Sequence, residues 1–103
     1  MSVAREFFET LPGRASPEQI DGVDRGYLFD IAGEGRWLVE VRGGTVTVTE
    51  NPDLEGDVEF SMTGETFQRI DARKLNPMVA YMTGKLKVKG DIGAAMELRN
   101  LLS

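Results

Sequence analysis

Hydrophobic and polar residues alternate through the middle of the chain, as in β-strands that bury one face. Apolar side chains recur at every second position over residues 27–31, 37–41, 46–48 and 58–62. Residues 33–35 and Gly43-Gly44 separate the first three runs, and glycines in such positions are typical of tight hairpin turns. The pattern therefore predicts four successive strands joined as a meander.

A first helix is predicted ahead of these strands. Its apolar side chains Val3, Phe7 and Phe8 fall on one side of a helical projection. The pair Pro12-Gly13 is a helix breaker, so we expect the helix to end near Thr10.

Two short helices are predicted directly after the fourth strand. Thr63 is a candidate cap for the first, which carries Phe67 and Ile70 at positions i and i+3. Asn76-Pro77 starts the second, and Gly84 ends it in the manner of a glycine C-cap.

A fifth strand and a last helix complete the predicted fold. Leu86 and Val88 face inward on that strand, and Asp91 caps the helix. No repeat, low-complexity tract or linker interrupts the pattern, so residues 1–103 are expected to form a single α+β domain. Its five-stranded, mainly antiparallel sheet consists of the four-strand meander and the late fifth strand, and helices cover it.

The composition narrows the range of functions. The 103 residues contain 12 Lys and Arg against 17 Asp and Glu, and a net charge of −5 argues against nucleic acid as a partner. The absence of cysteine and histidine excludes disulfides and thiolate chemistry, and it removes the commonest metal ligands and general base. No apolar run is long enough to span a membrane, and the N-terminus is too polar for a signal peptide. We expect a cytoplasmic protein without a metal or cofactor.

Lys85, Lys87 and Lys89 face outward on the predicted fifth strand, and they allow two interpretations. They can form a basic ridge that meets a lipid head group or a membrane surface. Alternatively, outward lysines keep an exposed sheet edge from pairing with another chain, which the sequence alone favours.

Two helices carry more apolar surface than packing on one sheet requires. Residues 78–82 have no polar side, so their helix is expected to be covered all round. It is either wedged between the sheet and a neighbouring helix, or it lines a ligand cavity with adaptable methionines. The last helix has an apolar arc of about 120°, with Ile92 and Met96 as a second patch. That surplus needs a lumen, a lid contact or a partner subunit.

The run from Tyr81 to Asp91 resembles the C-terminal signature of the sterol carrier protein type 2 family of lipid-binding domains. Further segments match the family in order and spacing, and together they extend the resemblance over residues 3–102. These segments are residues 7–12, 27–31, 35–39, 44–46, 57–63 and 76–91.

Similarity to this family implies an apolar tunnel between sheet and helices that accepts fatty acyl chains, isoprenoids, sterols or related lipids. By position in the motifs, the candidate lining residues are Phe67, Ile70, Met78, Met82, Leu86, Met96, Leu98 and Leu102. The chain ends almost with its last helix and lacks the peroxisomal tail of longer members. The resemblance therefore favours a compact prokaryotic lipid carrier.

Two functions follow as hypotheses. The first is non-catalytic binding and transfer of a lipid or another long apolar molecule, with at most transient contact with a membrane. The second is an accessory module that docks on a partner protein, or forms a homodimer, through the C-terminal helix. Catalysis is not expected, because the acid–base pair Tyr81 and Lys85 lies across a helix end, where such pairs are generally incidental.

Overall fold

The computed structural model describes residues 3–14, 22, 24–50, 56–90 and 93. The predicted last helix lies outside these residues. In chain order the described elements are α1 (Val3–Arg14), β1 (Arg25–Ala32), β2 (Gly35–Arg42), β3 (Thr45–Glu50), β4 (Val58–Thr63), α2 (Gly64–Asp71), α3 (Pro77–Met82) and β5 (Lys87–Lys89).

The five strands form one sheet in the order β3-β2-β1-β4-β5. Three of the neighbouring pairs are antiparallel, whereas β1 and β4 run parallel. The mainly antiparallel α+β architecture is thus confirmed. The four-strand meander is wrong, because β4 does not extend the sheet beside β3 but crosses over to the other side of β1.

Burial on both faces explains why β1 takes the centre of the sheet. Tyr27 and Phe29 are buried on one face, and Leu28 between them is fully buried on the other. A strand that is apolar on both faces belongs in the interior of a sheet. By contrast, Thr45 and Thr47 on β3 are exposed, as suits an edge strand.

Aromatic rings fill the layer between the sheet and the helices α1 and α2. The strand register sets Phe29 opposite Trp37 on β2 and opposite Phe60 on β4. Phe8 of α1 stacks on Trp37 with ring centroids 4.9 Å apart, and it lies 5.6 Å from Phe67 of α2. The apolar side predicted for α1 therefore packs on the sheet.

Helix α1 is longer than the sequence indicated, because it continues through Pro12 to Arg14. Pro12 lies in the last turn, where a proline removes few backbone hydrogen bonds. Leu11 beside it is buried in the core, and this packing outweighs the local preference for a break.

The predicted caps of the two short helices are confirmed. The side chain of Thr63 accepts a hydrogen bond from the backbone N–H of Thr66 at 3.1 Å, and Asn76 accepts one from Met78 at 2.8 Å. Gly84 has a φ of 81° just after α3, the left-handed conformation that glycine adopts readily. No helix in the described part of the chain is long and apolar enough to cross a membrane.

Candidate functional site

Three of the predicted lining residues meet in one buried cluster. Phe67 and Ile70 point into it from α2, and Leu86 enters it just before β5. All three are nearly inaccessible to solvent. The backbone N–H of Leu86 donates to the carbonyl of Ala80 at 3.0 Å, which holds Leu86 beside α3. The structure therefore brings side chains from α2 together with one from the segment between α3 and β5.

Helix α3 contributes unequally to this cluster. Pro77 and Ala80 are buried and Met78 is half-buried, whereas Val79 is 48% and Met82 79% exposed. The expectation that this helix is covered on all sides is therefore wrong. A single short helix can turn only one stripe toward a core, and that stripe runs through Pro77 and Ala80.

The remaining lining assignments stay predictions. Met82 lies on the outer side of α3, so it would reach a lipid only if the lipid extends around that helix. Met96, Leu98 and Leu102 lie outside the described residues.

The buried layer has an aromatic end and an aliphatic end. At the aromatic end the rings lie close together, with Phe8 only 5.0 Å from Phe29 and 5.6 Å from Phe67. The part here called the aliphatic end comprises the buried side chains of Met62, Ile70, Ala80 and Leu86, of which Leu86 is hydrogen-bonded through its backbone to Ala80 of α3. Aliphatic and thioether side chains change rotamer more readily than interlocked rings, so the aliphatic end is the part that can adapt to a ligand.

A cleft of about 390 Å³ opens where the parallel strands β1 and β4 end. It is lined by Asp30, Ala32, Ser61, Met62, Thr63, Thr66, Gly84, Lys85 and Lys87. Crevices at the carboxyl ends of parallel strands are common ligand sites. Met62 is both a wall of this cleft and a buried member of the aliphatic end. The side chains of Asp30, Ser61 and Lys87, however, lie on the face of the sheet opposite the buried rings of Phe29 and Phe60, so the sheet itself lies between most of the cleft and the buried layer.

The cleft carries hydroxyl, amine and carboxylate side chains. Thr63 and Thr66 are hydrogen-bonded to each other through their hydroxyls at 3.1 Å. Lys85 and Lys87 are exposed, and Asp30 is half-buried. Within the described residues, no group of three or more acidic side chains is placed to hold a metal ion.

Sequence reasoning missed this cleft because it joined β4 to the wrong neighbour. Asp30 and Ser61 lie opposite each other only through the parallel pairing of β1 and β4. A meander would have placed them on strands three positions apart. The sequence carried one signal for this pairing, the apolar Leu28 between Tyr27 and Phe29. Apolar residues at all three positions indicate a strand that is buried on both faces and needs a partner on each side, and all three side chains are buried.

Comparison with known proteins supports the family resemblance. A family model described as the SCP-2 sterol transfer family matches residues 6–103. Hydroxysteroid dehydrogenase-like protein 2 of Danio rerio is 35% identical over 101 residues, which make up 95% of this chain and 24% of that protein. The chain thus spans about a quarter of the length of the curated relatives it matches.

Solved structures share the fold. Sterol carrier protein domain 2 of Helicoverpa armigera is 28% identical and superimposes with a TM-score of 0.75, covering 94% of this chain and 83% of that one. Palmitated SCP2L2 from Aedes aegypti is 20% identical, with a TM-score of 0.76 and coverage of 99% and 95%.

Proposed function

The chain belongs to the SCP-2 sterol transfer family, and from this premise we propose that it binds an apolar lipid and transfers or presents it without catalysing a reaction. The observation that carries the proposal is the buried apolar cluster, one member of which, Met62, also borders the cleft. Met62 lines the open cleft and is also buried with Ile70 and Leu86. A relative of the same fold is described as palmitated, which is consistent with an acyl chain as the ligand.

The free energies involved suit a carrier. An unfilled apolar cavity of about 300 Å³, small for a ligand site, would destabilise the fold by about 7 kcal/mol. That is comparable with the whole stability of a small domain, so the interior should be filled by lipid or closed by its own side chains. A sixteen-carbon chain gains about 12 kcal/mol on leaving water, and a bilayer offers much the same. Lipid can therefore move between membrane and protein without a covalent step.

The proposed ligand lies at the aliphatic end of the buried layer. A tunnel there would open by rotation of the buried Met62 and of the half-buried Met78, a predicted lining residue, whereas opening the aromatic end would separate stacked rings. Both methionines have three rotatable side-chain bonds and a polarizable sulfur, which fit them to enclose chains of varying shape. The lipid would enter through the cleft beside Met62.

This proposal predicts that a bulky side chain at Met78 blocks binding. In a titration with palmitic acid kept below its aggregation threshold, the wild type should bind one equivalent and melt at a higher temperature. Met78→Trp should weaken binding at least about tenfold, because the indole fills space that the lipid needs. Val79→Trp is the matched control, since Val79 lies on the exposed side of the same helix and should leave the affinity unchanged.

The same titration separates the alternatives. If both variants bind as the wild type does, the lining assignment is wrong while lipid binding stands. If fatty acids, sterols and quinones neither bind nor stabilise the wild type, the carrier function is wrong. The accessory-module hypothesis predicts that second result, together with a stable complex through the C-terminal helix. Cytoplasmic location and a prokaryotic source stay predictions.

A further inference from the structure

Positive charge is concentrated in one segment of an otherwise acidic chain. The segment Arg69–Lys89, here called the basic segment, contains six of the 12 Lys and Arg and one of the 17 Asp and Glu, Asp71. The cations are Arg69, Arg73, Lys74, Lys85, Lys87 and Lys89. All four lysines of the chain lie here, although the net charge of the whole is −5.

These six cations are available to an external partner. All are exposed, and none takes part in an ion pair within the part of the chain that the structure describes. Two arginines elsewhere differ, since Arg5 pairs with Glu50, and Arg42 lies 2.8 Å from Asp24 and 3.6 Å from Asp57.

Exposed apolar side chains lie between the cations. Helix α3 turns Val79 and Met82 outward, and these are the large hydrophobic side chains most open to solvent in the described residues. Arg73-Lys74 precedes the helix and Lys85 follows it. A six-residue helix is only about 9 Å long, so the charges bracket the apolar pair closely.

We propose that the basic segment docks on the surface of an anionic lipid bilayer. Val79 and Met82 would enter the boundary between head groups and acyl chains, and the flanking cations would bind lipid phosphates. Two exposed apolar side chains are too little for a stable protein–protein interface, which buries roughly 1,200 Å² or more. The acidic remainder of the chain is repelled by the same surface, so attraction and repulsion together fix one orientation.

Docking in this orientation would present the cleft to the membrane. Gly84, Lys85 and Lys87 belong to both the basic segment and the cleft wall. Lipid would then pass between bilayer and interior at the docked face. This last step rests on the proposed carrier function, whereas docking itself does not.

Vesicle sedimentation tests the docking. The wild type should bind vesicles that contain phosphatidylglycerol, bind pure phosphatidylcholine far less, and lose binding as salt rises. Lys74→Glu should reduce binding at least about fivefold, because a single Lys or Arg near an anionic surface strengthens binding by about that factor. Arg36→Glu changes the net charge equally from an exposed position on β2 and should bind as the wild type does. Val79→Trp should strengthen binding and Val79→Ser should weaken it.

The outcomes separate this inference from the proposed function. Lys74→Glu should retain the wild-type affinity for monomeric palmitic acid, because Lys74 lies outside the cleft and the buried layer. Equal loss of vesicle binding in Lys74→Glu and Arg36→Glu would overturn the assignment to the basic segment. No preference for anionic vesicles would overturn membrane docking and point to an acidic protein as the occupant. Neither result would bear on the proposal that the protein binds monomeric lipid in solution.

Discussion

At the scale of single residues, close approach and ring packing determine which positions tolerate change. Phe8 lies within 5.6 Å of Phe7, Phe29, Trp37 and Phe67, measured between ring centroids. The sequence identified Phe8 as part of the inner side of α1. Three of these ring partners, Phe29, Trp37 and Phe67, could not be predicted, because they come from three other elements whose arrangement depends on the strand order.

Gly56 is a residue at which the backbone leaves no room for a side chain. A Cβ there would lie 2.8 Å from the carbonyl oxygen of Gly26 and 2.9 Å from the amide nitrogen of Leu28. Both are backbone atoms of the central strand and cannot move aside without breaking the sheet. Gly56→Ala should therefore lower the free energy of unfolding by about 2 kcal/mol or more.

Gly13→Ala provides the matched control for that prediction. Nothing lies within 4 Å of a Cβ at Gly13, and the residue is in helix α1. Alanine there should be neutral or stabilise by up to about 1 kcal/mol. Urea unfolding of both variants measures the difference, and equal midpoints would show that the approach of Gly56 to β1 is not maintained in solution.

At the scale of elements, the carboxylate of Glu34, in the turn between β1 and β2, lies close to the first turns of α1 and α2. Glu34 accepts a hydrogen bond from the backbone N–H of Ala4 at 3.4 Å, in the first turn of α1. A Cβ on Gly64, the first residue of α2, would collide with the same carboxylate. The negative charge thus lies near the N-termini of both helices, where the helix dipoles favour it.

A double-mutant cycle on Glu34 and Gly64 tests this arrangement. Glu34→Ala should destabilise by about 1–2 kcal/mol, because a helix N-terminal acceptor is lost. Gly64→Ala should also destabilise by displacing the carboxylate, and the double variant should be less destabilised than the sum of the two. Strict additivity in chemical unfolding would mean that Glu34 does not occupy the space in front of Gly64.

How far the elements could be predicted depended on whether their signals are local. The caps Thr63 and Asn76 and the inward position of Leu86 were predicted, because each rests on residues within one turn or strand. The continuation of α1 beyond Pro12 was not, since it depends on the packing of Leu11 in the core. Helical periodicity also could not tell which side of α3 would stay exposed.

At the scale of the whole molecule, the order of the strands in the sheet is the feature that the sequence did not predict. The strands were predicted, but the crossover that places β4 beside β1 was not, and this crossover creates the cleft. Of the predicted lining residues, Phe67, Ile70 and Leu86 lie in one buried cluster. The position of a residue in a family motif does not show which side of a helix it lies on. The assignment of Met82 as a lining residue therefore stays a prediction.

The whole molecule also combines two features that suit the proposed lipid carrier. A buried apolar layer can hold lipid, and its cleft borders a basic segment that opposes the overall negative charge. In the proposed function the buried layer provides affinity, since it removes an acyl chain from water. In the proposed docking the basic segment determines where the lipid is taken up or released.

Native mass spectrometry of freshly purified protein, before and after extraction with organic solvent, tests the central claim most directly. We predict a near one-to-one adduct with the mass of an acyl-chain, isoprenoid or sterol lipid, which extraction removes and incubation with that lipid restores. A spectrum of the bare chain that stays unchanged after incubation with fatty acids, sterols and quinones would contradict lipid binding.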